Sequence, residues 1–274
     1  MMKQQIRIAA RDSLCNSITG IAIFVCLAMP AYAQSAGWLQ GGSNLIDPTQ
    51  LPPAMVGVLG ALGGRMMTAD KAQVAIAGSI TDSSGTRAAQ IIVQAPGYLS
   101  YREGQGRAIT FDGTQFKTKG GAPSADDERI MESLLAHFPD TVLLQFATGG
   151  GWRRVGSHFR TDSGKSANYT GPYWTLYAFS PSDRPGLTRG QALQQEIFIA
   201  VDDQTGLISE VRMAVNTGPK QVTVTETQFN NWVQQAGQWF PGQIVRLENG
   251  KQVLSFQTQQ SAVGTSSPAA VFQP

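Results

Sequence analysis

The feature that most restricts the fold is a change of hydrophobic period partway along the chain. From Lys71 onward Ala72, Val74, Ile76 and Ile80 alternate with Gln73, Ala75, Ala77 and Ser79. A period of two puts successive side chains on opposite faces of an extended strand, so this pattern predicts a strand with one face buried. Further strands are predicted at 86–95, 98–102, 107–111 and 114–118, the last two joined by Asp112-Gly113, a two-residue hairpin signal. The second half adds 152–160, 173–180, 195–201, 207–215, 221–227, 229–235, 243–248 and 252–258, with turns at 202–206 and at Asn249-Gly250. An open twisted sheet of more than roughly ten strands curls or splits, so about 13 antiparallel strands imply strong curvature.

Within the strands, Leu207, Val211, Met213 and Val215 share one face and Glu210 and Arg212 the other; Val245 and Leu247 likewise oppose Arg246 and Glu248. This predicts a wet charged face and a covered apolar one. Glu226 departs from the pattern by falling with Val222 and Val224.

Helical periodicity is confined to the stretches outside these strands. Between 54 and 67, Met55, Val58, Leu59, Leu62 and Met66 recur at three and four residues after Pro52-Pro53, although Gly57, Gly60, Gly63 and Gly64 weaken the propensity. A second helix is predicted over 123–138. Ser124 can cap it, Asp126, Asp127 and Glu128 suit the positive end of its dipole, and Ile130, Leu134, Leu135 and Phe138 form its stripe. The apolar run 141–147 is too short to separate helix from buried strand.

Lys3, Arg7 and Arg11 precede an apolar stretch at 18–29, and Ala31-Tyr32-Ala33 offers small residues where a signal peptidase reads. Twelve residues reach only about 18 Å as a helix, short of a hydrocarbon core of roughly 30 Å. The chain is therefore expected to be exported to the bacterial periplasm, cleaved after Ala33 and not integral to the membrane. Residues 34–53 read as a flexible lead-in and 54–274 as a single domain. Both cysteines, Cys15 and Cys26, fall in the leader, so the mature chain has no thiol or disulfide chemistry.

Removing the leader leaves basic and acidic residues in balance, and outside Arg153-Arg154 the cations are scattered singly. That excludes the positive stripe that nucleic acid requires. His137 and His158 have no second ligand at a recognisable spacing, so no metal or cofactor is expected. Gly164-Lys165-Ser166 lacks the earlier glycine of a phosphate loop, and no serine elbow or placed nucleophile is present. Asp202, Asp203, Glu210 and Glu226 lie close in sequence but two sit in a turn, so no catalytic pair is predicted and the chain is read as a non-enzyme.

What remains is a curved apolar surface with aromatics concentrated in the second half. The expected fold class is α+β: a strongly curved antiparallel sheet with two or three helices on one side. Ile91, Val93, Trp174, Phe198, Val211 and Met213 are the candidate ligand-binding residues, lining a cavity suited to an acyl chain.

The order of elements, with Phe111-Asp112-Gly113 in the first meander, Trp239-Phe240-Pro241-Gly242 and Asn249-Gly250-Lys251 in the late strands, and Val271-Phe272-Gln273-Pro274 at the end, resembles the periplasmic lipoprotein-carrier superfamily. The resemblance implies an unclosed half-barrel whose concave face, under helical lids, holds lipid or the acyl chains of a lipoprotein. It also implies carrier or sensor roles, or a regulatory subunit that meets an envelope protein partner without lipid cargo. The segment 149–171 departs from the pattern as an insertion, and no binding residue carries over position by position.

Overall fold

The computed structural model describes residues 46–264, apart from 69–71, 96, 105, 113–114, 123, 150–151, 162–166, 180–196 and 219–220. The leader and its cleavage point, Gly113, the Gly164-Lys165-Ser166 run and the chain's last four residues lie outside the described residues.

The described elements are a 3₁₀ turn Pro48–Gln50, helices α1 (Pro53–Ala61), α2 (Arg65–Thr68), α3 (Ala125–His137) and α4 (Pro139–Gly149), and fourteen strands. The strands are β1 (Gln73–Asp82), β2 (Gly85–Gln94), β3 (Tyr98–Glu103), β4 (Arg107–Asp112), β5 (Phe116–Lys119), β6 (Trp152–Arg160) and β7 (Tyr173–Phe179). They continue with β8 (Ile197–Asp202), β9 (Ile208–Gly218), β10 (Gln221–Asn230), β11 (Val233–Gln235), β12 (Gln238–Phe240), β13 (Gln243–Glu248) and β14 (Lys251–Gly264). Twelve of them make one sheet in the order β5-β4-β3-β2-β1-β14-β13-β10-β9-β8-β7-β6, and β11 pairs with β12 as a separate ribbon. Every pairing is antiparallel. The end strands β5 and β6 do not pair with one another, so the sheet is unclosed.

Curvature follows from what α3 touches. It packs against both β3 and β10, five places apart in the sheet. In a flat sheet those strands would stand roughly 24 Å apart, more than one helix can bridge. Side chains repeat the message: Arg107 of β4 binds Asp127, and Arg129 reaches Glu248 of β13 with N···O 3.1 Å. The sheet is therefore wrapped around the helix. One device for the bend is the bulge between Ala77 and Gly78, where β1 meets β14. A Cβ at Gly78 would stand 1.9 Å from the Gln257 carbonyl oxygen, so only glycine permits that approach.

Both sheet edges are blunted against further pairing. Strand β5 is four residues long and carries Lys117 and Lys119, and β6 is bulged twice, between Arg154 and Gly156 and between Gly156 and Phe159.

Four sequence expectations change. The first helix breaks in two because Gly63 (φ 81°) and Gly64 (φ 64°) adopt left-handed backbone. The end of the lead-in is packed rather than flexible: Ile46 and Leu51 are buried, and the Ile46 amide donates to the Met66 carbonyl. The undecided run at 141–147 is helix α4, opened by Pro139, where a missing N–H does no harm. The two strands expected within 221–235 are β10 and the short β11, separated where Asn231 turns the chain at φ 52°. Ser124 caps α3 through a reciprocal capping box with Asp127, and Asn249 (φ 50°) and Gly250 (φ 77°) form the tight turn that their dipeptide specifies.

Candidate functional site: the covered face of the curled sheet

In an antiparallel ladder, directly opposed residues share a face, so the register assigns the surfaces. One row runs Ile76, Ile91, Tyr101 and Ile109 across β1 to β4, and its neighbour runs Val74, Val93, Leu99 and Phe111. At the other end, Arg246, Thr227, Val211, Ile199 and Tyr177 form one row, and Glu248, Thr225, Met213, Ile197 and Phe179 the next. The apolar members of these rows join Met55, Val58 and Leu59 of α1 and Leu134 of α3 in one core. This is the concave face that the helices cover.

That face is not uniformly apolar. Thr225, Thr227 and Arg246 are fully buried on β10 and β13, with Glu248 beside them, and they make a polar band with apolar rows on both sides. Helix α3 lies over the band and matches it. Arg129, Ser133 and His137 recur every four residues and so lie along one stripe of the helix. Arg129 donates to Glu248 through Nε and Nη2 at 3.2 and 3.1 Å. The Arg246 Nε donates to Ser133 Oγ at 2.6 Å and its Nη1 to Glu248 at 2.7 Å. The His137 Nδ1 lies 2.8 Å from Thr227 Oγ1.

Burial and charge tune these groups. Burial works to raise the Glu248 carboxyl, and the Arg246 and Arg129 guanidiniums outweigh it, so the group ionises below the usual carboxylate range. His137 is driven down to about 3, chiefly by burial and secondarily by the Arg246 charge, which keeps the ring neutral. Its Nε2 and the Thr141 hydroxyl are buried without a hydrogen-bond partner.

Helix α1 contrasts with this. Its sequence is apolar or glycine throughout, and Pro52 supplies no side-chain cap. Met55, Val58 and Leu59 are buried, whereas Gly57 and Gly60 face outward with no atom near a built Cβ. The polar tie of this region comes one turn later, from Arg65. Its Nε and Nη2 bind the two Asp140 oxygens at 2.6 and 2.7 Å, and its Nη1 donates to the carbonyls of Leu62 and Trp239 at 3.3 and 3.2 Å. The guanidinium also stacks 5.4 Å from the Phe240 ring centre. With side chains 1% and 3% exposed, Arg65 and Asp140 form a fork-to-fork pair away from water that joins α2, α4 and β12.

The six candidate lining residues are divided by the register. Ile91, Val93, Val211 and Met213 lie on the covered face, the first three fully buried and Met213 half-buried. Trp174 and Phe198 do not join them: Trp174 opposes Asp202, and Phe198 opposes Ala178 and Arg212, all on the outer face. A second correction concerns β13, where Arg246 and Glu248 occupy the covered face and Val245 and Leu247 the outer one, opposite to the wet-face expectation.

Glu210 and Arg212 are on the outer face, where Glu226 joins them, but that face is not wet at Glu210, which is buried. Arg212 Nη2 binds Glu210 at 2.7 Å and Glu226 at 2.9 Å, and Gln228 donates to Glu226 at 2.6 Å. Burial holds the Glu210 carboxyl well above the usual range, opposed by Arg212 and reinforced by Glu226. His158, in left-handed backbone (φ 56°), sets its Nδ1 3.1 Å from Asp203, whose other oxygen accepts from Thr175 Oγ1. No group of three or more His, Cys, Asp or Glu side chains arranged to hold a metal occurs among the described residues.

Arg65, Asp140 and Arg246 carry the site's polar architecture; sequence reading passes over Arg65 and Asp140 and sets Arg246 on the wet face. For Arg65 a signal existed: it is the lone charge in an otherwise apolar, glycine-rich run and stands three residues after Leu62, on the face assigned to the core.

No family model matches this chain, and no curated protein matches it. Among solved structures it is similar to an outer membrane lipoprotein-sorting protein domain from Vibrio parahaemolyticus, at 10% identity and TM-score 0.46, covering 78% of this chain and 94% of that one. It is also similar to a LolA superfamily protein from Nitrosomonas europaea, at 11% identity and TM-score 0.47, covering 81% and 97%. A DUF1329 family protein from Desulfovibrio piger aligns at 12% identity and TM-score 0.39, again covering 81% and 97%.

Proposed function

We propose that this chain is an exported, non-catalytic binding protein of the bacterial periplasm. It takes a lipid, or the acyl chains of an acylated protein, onto the covered face of its curled sheet and acts as a carrier or sensor. The observation that carries this reading is the way that face is closed. Its apolar rows share a core with helix α1, which has no polar side chain of its own and two outward glycines, rather than with a second sheet layer. A cover that meets the sheet through apolar contact can be replaced there by an acyl chain of the same chemistry. Ile91, Val93, Val211 and Met213 are the proposed lining, and Arg65 with Asp140 sets how readily the cover lifts. The proposed working unit spans residues 54–274 after cleavage behind Ala33.

A second reading, a regulatory subunit of an envelope complex without lipid cargo, is favoured by the closed state of that face, where Ile91, Val93 and Val211 are at most 1% exposed. Native mass spectrometry of protein purified from periplasm without detergent separates the two. Stoichiometric acyl lipid, and uptake of added phospholipid by stripped protein, are expected for the carrier or sensor. A bare polypeptide mass with no uptake rejects it and favours the regulatory subunit.

A further inference from the structure

Seven large apolar side chains stand exposed among the described residues, and four of them, Trp152, Val155, Phe159 and Tyr173, belong to β6 and β7. A cluster of this kind on one hairpin marks a contact surface rather than scattered exposure. The same strand, β6, carries Arg153, Arg154 and Arg160 and no acidic residue, and Arg153 and Arg154 are exposed. In a mature chain whose charges balance, this is a local positive edge.

The shape of the edge selects the partner. Trp152 opposes Phe179 and Tyr173 opposes Arg160 on the covered-face side, whereas Phe159 opposes Trp174 on the outer side. The aromatic side chains therefore flank the edge on both sides, and no single flat face presents them all. The two bulges and the left-handed His158 break the regular spacing of free N–H and C=O groups, so an incoming strand would find no continuous ladder. A fluid interface that closes around an edge from both sides accommodates this arrangement. Trp and Tyr are suited to a headgroup boundary because they join an apolar body to a polar tip, and arginines pair with phosphate.

We propose that the β6–β7 hairpin is a docking edge for a bilayer surface rich in anionic phospholipid. Trp152, Phe159 and Tyr173 enter the headgroup region, and Arg153 and Arg154 meet lipid phosphates. This contact lies at the sheet's edge strand, beyond the proposed lining residues Ile91, Val93, Val211 and Met213, and does not depend on cargo being held there.

The test is co-flotation of the mature chain with vesicles of phosphatidylcholine alone and of phosphatidylcholine with about one third phosphatidylglycerol. The native chain is expected to float with the anionic vesicles, weakly with the neutral ones, and less at high salt. The double variant R153Q/R154Q is expected to lower binding roughly 30-fold, about fivefold for each arginine. W152S/F159S is expected to lower it roughly tenfold through lost apolar insertion. Both double variants should keep the native circular dichroism. Absence of flotation with anionic vesicles overturns the proposal, as it would if the edge served an acidic protein instead. Binding equal on neutral vesicles, or unchanged in both double variants, overturns it as well.

Discussion

Helices α1 and α3 both contribute to the core beneath the sheet's concave face, yet they are fastened in opposite ways. Helix α3 is amphipathic with a polar underside, tied at Arg129, Ser133 and His137 to Glu248, Arg246 and Thr227 and at Asp127 to Arg107. Helix α1 has only apolar side chains and glycine, and the nearest polar tie is the Arg65–Asp140 pair that follows it. Directional bonds to several strands make α3 part of the frame around which the sheet curls. Under the proposed binding role, non-directional contact and one clasp make α1 the part expected to leave and return. A buried polar band thus locates the fixed half of the cover, and its absence locates the movable half.

The clasp gives the largest expected effect. Arg65→Met leaves Asp140 buried without its partner and is expected to destabilise the fold by about 3–5 kcal/mol, measured by urea unfolding. The double change R65M/D140L removes both charges and is expected to recover most of that loss while loosening α1. If the double variant unfolds as readily as the single one, the clasp is not an isolated pair.

Acid should act on the other helix. His137 has a folded-state pKa near 3 against an ordinary 6.5, so it adds no penalty above pH 6.5 and progressively weakens the fold as pH falls from there toward 3. Between pH 7 and pH 5 the native chain should lose roughly 2 kcal/mol more than H137Q, a window that lies above the range in which most carboxylates titrate. Parallel pH profiles for the two proteins would contradict the burial of a neutral ring under α3.

Stiffening α1 should sharpen the contrast in the opposite direction. Gly57 and Gly60 have open space where a Cβ would stand, so G57A/G60A is expected to raise stability by roughly 1–2 kcal/mol and to slow lipid uptake. The smallest effect belongs to the half-exposed pair: R129Q is expected to change stability by less than about 1 kcal/mol, because solvent screens Arg129 and Arg246 still holds Glu248.

Much of this architecture is legible in the sequence, and the failures have a common cause. Period two identified most of the strands, and Asn249-Gly250 fixed the β13–β14 turn. Alternation states which residues share a face but not which face the rest of the chain will cover. Alternation alone therefore sets Arg246 and Glu248 on the wet face, whereas α3 brings Arg129 and Ser133 to meet them on the covered one. Composition groups Trp174 and Phe198 with Val211, whereas their register sets them on the outer face. The clasp was hidden because Arg65 and Asp140 are 75 positions apart and neither belongs to a local motif. The break after α1 was written in Gly63-Gly64, but an apolar period that continues through Met66 masked it.

The most direct test of this division is native-state hydrogen exchange resolved to α1 and α3. The expected result is exchange of the α1 amides through a local opening, at a free energy well below global unfolding and lowered further in R65M/D140L. The α3 amides should exchange only near the global limit in both proteins. Equal protection of the two helices, or earlier opening of α3, would contradict the assignment of α1 as the movable cover.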